Sequence, residues 1–443
     1  MNIIIAGDGE VGFYLAKSLS ELDFNITVVD PHSALLKRLE SETDLLTIVG
    51  DASSPEVLEE ANVGDCDLFL AVLHDESINL VTSILAHKLG ARKTVARISN
   101  TELLRPRYRE MWQELGVDEL VCPERIAAKE IANLIDNTVS QEFFDFAGGL
   151  LTMNLIRLSA ESPMVGKTRQ DITNPNMRFV AVLRNGETFI THADFVFESG
   201  DLAYVICKAN QHVALEELSG RDEFHVKNLM IAGGGRIGRF AAMALEQEKG
   251  VVLIEEDKSR CEELTEILHK SLIINGDSTD IELLKEEGLQ RTDAFIAVTG
   301  SSETNVLTCL HAKRLGVKRT IALVENTGFI NLSQDIGIDT IINKKLITAS
   351  YIARFIVSGN AVSSKWLSGT NAEVIEFVVS RHSAATRRSL GDLGFPDGAT
   401  VGGVIRGRET IIPNRDTQLK EGDKVVVFTL PQTMNKVSRF FNH

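Results

Sequence analysis

The chain has 443 residues, of which 44% are hydrophobic, and its formal net charge is −16. This length predicts three or four domains on the usual scale of roughly 150 residues or fewer each, and the acidic charge argues against a nucleic-acid binder that neutralises phosphates. No basic segment precedes an apolar core at the start of the chain, and no apolar run approaches the roughly 18 residues that span a bilayer, so we expect a cytosolic chain.

Short apolar strands alternate with amphipathic helices through the first part of the chain. The predicted strands cover residues 2–6, 26–30, 45–49, 68–73 and 94–98, and the predicted helices cover 11–22, 33–41, 55–61 and 76–89. This alternation is typical of an α/β fold with a doubly wound parallel sheet.

Pro123 opens a further predicted helix, residues 124–138, whose apolar residues recur near helical spacing. Such a face fits two interpretations, packing on its own domain or a dimer-forming crossover. Its counterpart later in the chain is the predicted helix 346–357.

The pattern occurs twice, which indicates an internal repeat. The first part recurs at an offset of 226 residues, and a second, strand-rich part recurs at an offset of 222. The matched pairs include Gly7 with Gly233, Asp51 with Asp277, Asn79 with Asn305, Arg184 with Arg406, and Asp201 with Asp423.

Each copy carries a Gly-x-Gly-x-x-Gly sequence between a predicted strand and a predicted helix. The first glycine permits a tight turn, the second lets the backbone approach a pyrophosphate, and the third lets the helix pack on the strand. The helix N-terminus then faces the anion. The candidate loop residues are Gly7, Asp8, Gly9, Glu10, Val11, Gly12, Gly233, Gly234, Gly235, Arg236, Ile237 and Gly238.

These loops predict two tandem Rossmann-like domains with parallel sheets, each followed by a small strand-rich α+β domain. The predicted domains are 1–140, 141–222, 226–358 and 362–443.

An acidic residue ends the second predicted strand of each copy, Asp30 in the first and Glu255 in the second. A carboxylate here binds the ribose hydroxyls and repels a 2′-phosphate, which favours NAD(H) or an adenosine nucleotide over NADP. Helix capping is the alternative role for these acids. In the second copy, Glu256 and Asp257 are further candidates for the ribose contact.

The loops after the third and fourth strands border the same site, because ligands of open α/β sheets lie outside the carboxyl ends of the strands. They supply Asp51, Leu73, His74, Asp277, Thr299 and Gly300. Helix N-capping is an equal alternative for the two aspartates.

Arg97 ends the fifth strand of the first copy, where it could pair with a phosphate. Its counterpart is Leu323, so we expect the two sites to differ in ligand or affinity.

No catalytic constellation stands out. Tyr204 and Lys208 have the Tyr-x-x-x-Lys spacing of short-chain dehydrogenases, but they lie on a predicted strand, where residues four apart are ~13 Å from each other. The five cysteines lack a CxxC spacing, so we expect buried packing residues and no metal site. We predict that the chain is not an enzyme, with an NAD-dependent oxidoreductase as the alternative.

The order of these motifs, from the glycine loop through the Gly-Asp turn to the hairpin of the small domain, resembles the RCK/KTN family of potassium-conductance regulators. The resemblance covers essentially the whole chain, and the duplication is similar to that of the peripheral subunits of Trk-type potassium-uptake systems. It implies a regulatory subunit that binds NAD(H), ATP or ADP through the loop, strand-end and Arg97/Leu323 positions named above.

The resemblance also implies a ring, with a homotetramer as the first expectation. Such a ring lies on the cytosolic face of a membrane potassium-translocating subunit and gates it. A nucleotide sensor with a non-channel partner is the remaining alternative.

Overall fold

A computed structural model describes residues 1–7, 9–20, 24–172, 174–220, 224–326, 328–356, 361–367 and 372–441. The chain divides into two units. Unit 1 contains Met1–Ile126 and Lys344–Ile356, and unit 2 contains Ala127–Asn343 and Val357–His443.

Unit 1 holds the first lobe, an α/β lobe whose strands are β1 (Asn2–Ala6), β2 (Asn25–Asp30), β3 (Leu46–Val49), β4 (Leu68–Ala71), β5 (Thr94–Arg97) and β6 (Glu119–Val121). Its helices are α1 (Glu10–Ser20), α2 (Ser33–Glu42), α3 (Pro55–Glu60), α4 (Glu76–Lys88) and α5 (Arg109–Leu115), and α6 (Pro123–Asp136) begins in this unit. The six strands form a parallel sheet in the order β3-β2-β1-β4-β5-β6, which is the Rossmann order.

The first sheet follows from its sequence. All four residues of β4 are buried, as a parallel strand covered on both faces requires. The helix α4 begins after Asp75, whose carboxylate accepts hydrogen bonds from the backbone N–H groups of Ser77 and Ile78.

The second lobe lies in unit 2 and repeats this design. Its strands are β12 (Asn228–Ala232), β13 (Gly250–Glu255), β14 (Leu272–Asn275), β15 (Ala294–Ala297), β16 (Arg319–Leu323) and β17 (Thr340–Ile342), and its helices are α8 (Arg236–Leu245), α9 (Lys258–Ile267), α10 (Ile281–Glu286), α11 (Ser302–Arg314) and α12 (Gly328–Asp335). The strand order is β14-β13-β12-β15-β16-β17, again parallel.

Two small domains complete unit 2, each with a five-stranded antiparallel sheet. The first contains β7 (Glu142–Phe146), β8 (Leu151–Arg157), β9 (Met177–Arg184), β10 (Glu187–Ile190), β11 (Leu202–Lys208) and α7 (His212–Ser219). The second contains β18 (Ala361–Trp366), β19 (Glu373–Val378), β20 (Ala399–Arg406), β21 (Glu409–Ile411), β22 (Lys424–Thr429) and α14 (Pro431–Phe441). The fold is therefore the predicted one of two Rossmann-like domains, each followed by a small α+β domain.

The two small domains share one core. The rings of Tyr204 and Phe428, one from each domain, lie 5.7 Å apart between centroids. A Cβ at Gly402 would collide with the tip of the Ile206 side chain and lie 3.0 Å from Val180 Cγ1, so the two sheets approach each other closely at this glycine.

The helix that follows each lobe is exchanged. The helix α13 (Lys344–Ile356) belongs to unit 1, where it lies against α1. From Ala127 onward α6 belongs to unit 2, where the Asp136 carboxylate lies 3.2 Å from Lys249 Nζ. Packing on the preceding lobe alone is therefore not what the structure shows for α13 or for α6 from Ala127 onward, and the dimer-forming crossover stays a prediction. The domain boundaries predicted at residues 140 and 358 stay predictions.

In the described ranges, no helix combines the length and apolarity needed to pass through a bilayer.

Candidate functional site

The second glycine loop is closed tightly against the end of β15. Gly233 has φ +104°, in the left-handed region, and a Cβ there would lie 3.0 Å from the backbone nitrogen of Thr299. A Cβ at Gly238 would collide with the carbonyl oxygen of Gly233. These two glycines allow α8 to start directly beside the strand ends.

Gly235, between them, faces open space. Apart from its two chain neighbours, no described heavy atom lies within 4 Å of its Cβ position, and the residue is the N-cap of α8. The backbone N–H groups at the start of α8 therefore have room in front of them for an anion.

A cavity of about 410 Å³ opens in front of this loop, at the carboxyl ends of the strands. Its volume is in the range of roughly 300–1,000 Å³ that is usual for small-molecule sites. The structure brings six predicted residues together on its wall: Gly233, Gly235, Glu255, Asp277, Thr299 and Gly300. Glu256, the further candidate for the ribose contact, also lies on this wall. The other lining residues were not predicted from the sequence: Ile254, Arg260, Gly276, Ser278, Thr279, Val298, Ser301 and Thr304.

Glu255 lines this cavity and is buried, with 5% of its surface exposed. One carboxylate oxygen accepts a hydrogen bond from the Gly234 backbone N–H at 2.7 Å, and the other accepts from the Asp257 N–H at 3.0 Å. Arg260 adds a guanidinium nitrogen 3.5 Å away. These donors stabilise a buried negative charge beside the glycine loop.

The neighbouring acids have different positions. Asp257 caps α9, because its carboxylate accepts hydrogen bonds from the N–H groups of Ser259 and Arg260. Glu256 lines the cavity and is exposed. Among the three candidates, Glu255 is thus the one that joins the glycine loop to the cavity.

Asp51 and Asp277 hold turns rather than helix ends. Each accepts two hydrogen bonds of 2.8 Å from the residue two positions later, Ser53 or Thr279, one from the backbone N–H and one from the hydroxyl. These bonds lower the pKa of both carboxyls. The N-caps of the helices that follow are Ser54 and Asp280, so the helix-capping alternative for Asp51 and Asp277 is wrong.

Two buried asparagines, Asn305 and Asn79, hold the loops that follow the fourth strand of each lobe. Asn305 accepts a hydrogen bond from the Thr299 N–H at 2.9 Å and donates to the carbonyls of Thr299 and Leu323 at 3.1 and 2.9 Å. Asn79 does the same in the first lobe, between Leu73 and Arg97. The repeat pairs these two asparagines in the sequence, but their structural role is visible only in three dimensions.

The first lobe forms the same loop. Gly7 has φ +114°, and a Cβ there would lie 3.0 Å from the Leu73 backbone nitrogen. Gly12 approaches the Gly7 carbonyl as Gly238 approaches that of Gly233. A Cβ at Gly9 would lie 3.7 Å from the His74 ring, which places this exposed histidine beside the loop.

Three other predicted loop residues have simpler outcomes. Val11 is buried and Glu10 is the first residue of α1, whereas Asp8 lies outside the described residues. In the second lobe, Arg236 is exposed at the first position of α8 and Ile237 is buried.

Asp30 is buried, with 3% of its surface exposed, at the end of β2. Its carboxylate accepts a hydrogen bond from the His32 N–H at 2.8 Å and lies 2.7 Å from His32 Nδ1. These two contacts hold the acid at the end of the strand.

Arg97 and Leu323 differ as predicted in chemistry, but Arg97 has a partner that the sequence did not suggest. Its guanidinium lies 3.7 Å from the buried carboxylate of Glu124. Leu323 is buried, with 6% exposed. A phosphate at the first site would share Arg97 with Glu124.

Tyr204 and Lys208, the pair with the spacing of short-chain dehydrogenases, lie on β11 of the first small domain. Tyr204 is fully buried in β11, and burial raises its pKa well above the usual range. All five cysteines are buried free thiols. Among the described residues no group of three His, Cys, Asp or Glu side chains is placed to hold a metal ion.

The model of the TrkA-N domain matches residues 3–123 and 229–344, and that of the TrkA-C domain matches 155–220 and 374–442. The chain belongs to the TrkA family. The Trk system potassium uptake protein TrkA homolog 1 of Methanosarcina mazei is 33% identical to it, with 100% of both chains covered. The Trk system potassium uptake protein TrkA of Haemophilus influenzae is also 33% identical, over 97% of this chain and 95% of that protein.

Solved structures support the TrkA-family fold. A crystal structure of the GsuK RCK domain has a TM-score of 0.62 at 18% identity, covering 99% of this chain and 94% of the other. The GsuK channel bound to NAD has a TM-score of 0.60 at 17% identity, covering 99% of this chain and 78% of the other.

Proposed function

We propose that this chain is the nucleotide-binding regulatory subunit of a Trk-type potassium-uptake system. The observation that carries the proposal is the cavity at the second glycine loop, in a chain that matches Trk potassium uptake proteins over its full length. NAD(H), ATP or ADP binds with its phosphates at the start of α8 or α1 and its ribose at Glu255 or Asp30.

The carboxylates decide which nucleotides fit. Glu255 and Asp30 are buried acids at the strand ends, so a 2′-phosphate there would meet a negative charge. The proposal therefore favours NAD(H), ATP and ADP over NADP. The GsuK structure bound to NAD supports a nucleotide ligand for this fold.

The regulatory step is a change in the equilibrium between two assemblies. In the proposal four chains form a ring on the cytosolic face of a membrane potassium-translocating subunit, and the chain catalyses no reaction. A nucleotide shifts the ring only if it binds one geometry more tightly than the other, with a coupling of about 1–3 kcal/mol as the ordinary range.

Potassium flux through the complex tests this function. The chain is reconstituted in vesicles with its membrane subunit, and flux is measured with NADH, NAD, ATP, ADP or no nucleotide. We expect at least two of these conditions to differ by about fivefold or more, which is the lower end of such couplings. The double variant Asp30→Ala, Glu255→Ala should lose the difference, whereas Glu262→Ala, an exposed acid on α9, should keep it.

Equal flux under all five conditions would refute gating by nucleotide. An oxidoreductase is tested separately, by following the absorbance of reduced cofactor with NAD and a panel of alcohols, hydroxy acids and amino acids. We expect no reduction of the cofactor.

A further inference from the structure

We infer that Arg260 sets how strongly the second lobe discriminates against a nucleotide that carries a 2′-phosphate on its adenosine ribose. This inference rests on the proposed function, because it concerns the ribose expected at Glu255, and it adds a specificity-determining residue to that site. The Arg260 guanidinium lowers the penalty for a 2′-phosphate, so the second lobe excludes NADP(H) less strongly than Glu255 alone would.

Arg260 lies beside the acid that is expected to bind the ribose. It is the third residue of α9, and it lines the cavity together with Glu255. Its Nη1 atom lies 3.5 Å from Glu255 Oε1. In Rossmann folds a strand-end acid binds the ribose 2′-hydroxyl, whereas a nearby arginine accommodates a 2′-phosphate. The second lobe holds both kinds of side chain next to each other.

The ion pair with Glu255 leaves the donors of Arg260 available. At 3.5 Å the contact is longer than an ordinary N–H···O hydrogen bond. Within the described parts of the chain, the Arg260 guanidinium donates no hydrogen bond, although its backbone N–H donates to Asp257. About half of the side chain, 48%, is exposed. A guanidinium carries several N–H donors in a planar fork, so Arg260 is able to bind a phosphate while it stays near Glu255.

Glu255 does not depend on Arg260 for its position. One of its carboxylate oxygens accepts a hydrogen bond from the Gly234 N–H at 2.7 Å, and the other accepts from the Asp257 N–H at 3.0 Å. The acid therefore stays bonded to the backbone when the guanidinium turns toward a phosphate. For the same reason, a substitution of Arg260 should leave the contact between Glu255 and the ribose hydroxyls intact.

The other charges of the cavity wall limit the effect of Arg260. Among the described residues that line the cavity, Arg260 is the one basic side chain, whereas Glu255, Glu256 and Asp277 are acidic. The carboxylate of Asp257, at the N-cap of α9, adds to these acids. The site thus stays acidic overall and keeps its preference for NAD(H) over NADP(H). Arg260 reduces this preference without reversing it.

The first copy has a different residue at this position. Leu35 is the fifth residue after Asp30, as Arg260 is the fifth residue after Glu255, and it is exposed. A leucine offers no hydrogen-bond donor to a phosphate. The imidazole of His32 lies against Asp30, but it adds a positive charge only when it is protonated. The two copies therefore differ in a permanent positive charge at this position.

Titration calorimetry of the second site measures the discrimination directly. Asp30→Ala is the starting protein, because it removes the ribose acid of the first lobe. The dissociation constant of NADPH is divided by that of NADH, and this ratio is compared between variants. We expect Arg260→Leu, which introduces the residue type of the first copy, to raise the ratio about tenfold or more, as the loss of a charge-assisted hydrogen bond requires.

Lys258→Leu is the matched control. Lys258 is an exposed cation at the first position of α9, outside the set of residues that lines the cavity. Its removal should change the ratio by less than about twofold, because an exposed charge away from the site is largely screened. NADH itself should bind Arg260→Leu within about fivefold of the starting protein, since partly exposed ion pairs contribute little. This binding also shows that the variant is folded.

An unchanged ratio in Arg260→Leu, or an equal rise in Lys258→Leu, would overturn the inference. So would NADPH that fails to bind the starting protein while NADH binds it. Absence of NADH binding to the starting protein would overturn the inference as well. Titration of that protein with ATP and ADP then decides whether the proposed nucleotide site of the second lobe fails with it.

Discussion

Glu255 is the central side chain of the proposed nucleotide site in the second lobe. Its carboxylate is buried, bonded to the glycine loop through Gly234 and to the start of α9 through Asp257. A ribose that enters the cavity would form hydrogen bonds with a carboxylate whose position and charge are already fixed, which lowers the free-energy cost of ordering that group on binding.

Replacing Glu255 by Ala should weaken nucleotide binding to the second lobe about ten- to a hundredfold, because a hydrogen bond to a charged group contributes about 1.5–3 kcal/mol. Titration calorimetry of the purified chain measures it. Glu256→Ala, an exposed acid on the same wall, is the control. An equal loss in the control would mean that overall negative charge, and not the position of Glu255, matters.

Glu246 gives a residue-scale prediction for pH. Burial raises the pKa of this carboxyl, but hydrogen bonds from the Lys270 N–H, from the Ser271 hydroxyl and N–H and from the His269 N–H outweigh it and lower the pKa below its ordinary value of 4.5. A lowered folded-state pKa means that the stabilisation is present above the unfolded value and is lost as the pH falls through the folded value.

We therefore expect Glu246→Gln to speed hydrogen exchange of the Lys270 and Ser271 amides at pH 7. The ratio of the variant's exchange rate to that of the wild type should shrink toward one as the solution is acidified below about 4.5, the ordinary glutamate value. Hydrogen exchange followed by NMR or mass spectrometry checks both. A ratio that stays constant with pH would show that the carboxylate charge plays no part in holding this loop.

Individual contacts were the least predictable part of the molecule. Spacing in the sequence identified Glu255 and Asp277 as strand-end acids, since strand ends meet at one edge of a parallel sheet. It did not reveal the Arg97–Glu124 pair or the lining role of Arg260, because partners across a fold depend on side-chain direction and not on spacing. The hydrogen bonds from the Ser53 and Thr279 hydroxyls could have been predicted, because in each copy a hydroxyl residue stands two positions after the aspartate of the Gly-Asp pair.

At the scale of elements, Asn305 joins the end of β15 to the end of β16. Its amide donates to the carbonyls of Thr299 and Leu323, and its oxygen accepts from Thr299. It thereby fixes the loop that lies directly against Gly233.

Asn305→Asp keeps the size of the side chain but removes both donors and sets a carboxylate against two carbonyl oxygens. We expect a loss of about 2–4 kcal/mol in stability of the second lobe, typical of a broken buried polar network. Thermal unfolding and exchange of the second-lobe amides measure it, with Asn62→Asp, on an exposed turn, as control. A melting curve equal to that of the control would contradict the structural role assigned to Asn305.

Most of the helices and strands could be predicted from the sequence. Apolar periodicity predicts the buried strands, such as β4 and β15, and the helices between them. Because the repeat gives each element twice, the elements predicted in one copy supported those predicted in the other. The lobe on which each crossover helix packs could not be predicted, because an apolar face indicates that a helix is covered but not which lobe covers it.

At the scale of the whole molecule, the exchange of α6 and α13 makes each repeat dependent on the other. The helix α13 lies against α1 in unit 1, although it follows the second lobe in sequence. A chain cut between the repeats would expose the face of α1 that α13 covers.

We expect a fragment of residues 1–220 to self-associate or precipitate, since it lacks α13 and the second small domain that completes its shared core. Coexpression with a fragment of residues 224–443 should restore a soluble complex of the two pieces. Size-exclusion chromatography with light scattering distinguishes these outcomes. A monomeric first fragment with a cooperative melt would show that the exchange is dispensable.

Calorimetric titration of the full chain with NADH, NAD, ATP and ADP tests whether adenine nucleotides bind at the glycine loops. The wild type, Asp30→Ala and Glu255→Ala are compared, and the number of sites per chain is counted. We expect the wild type to bind at least one of these nucleotides and Glu255→Ala to lose the second-lobe site selectively. No binding of any of the four, or identical isotherms in all three proteins, would contradict it.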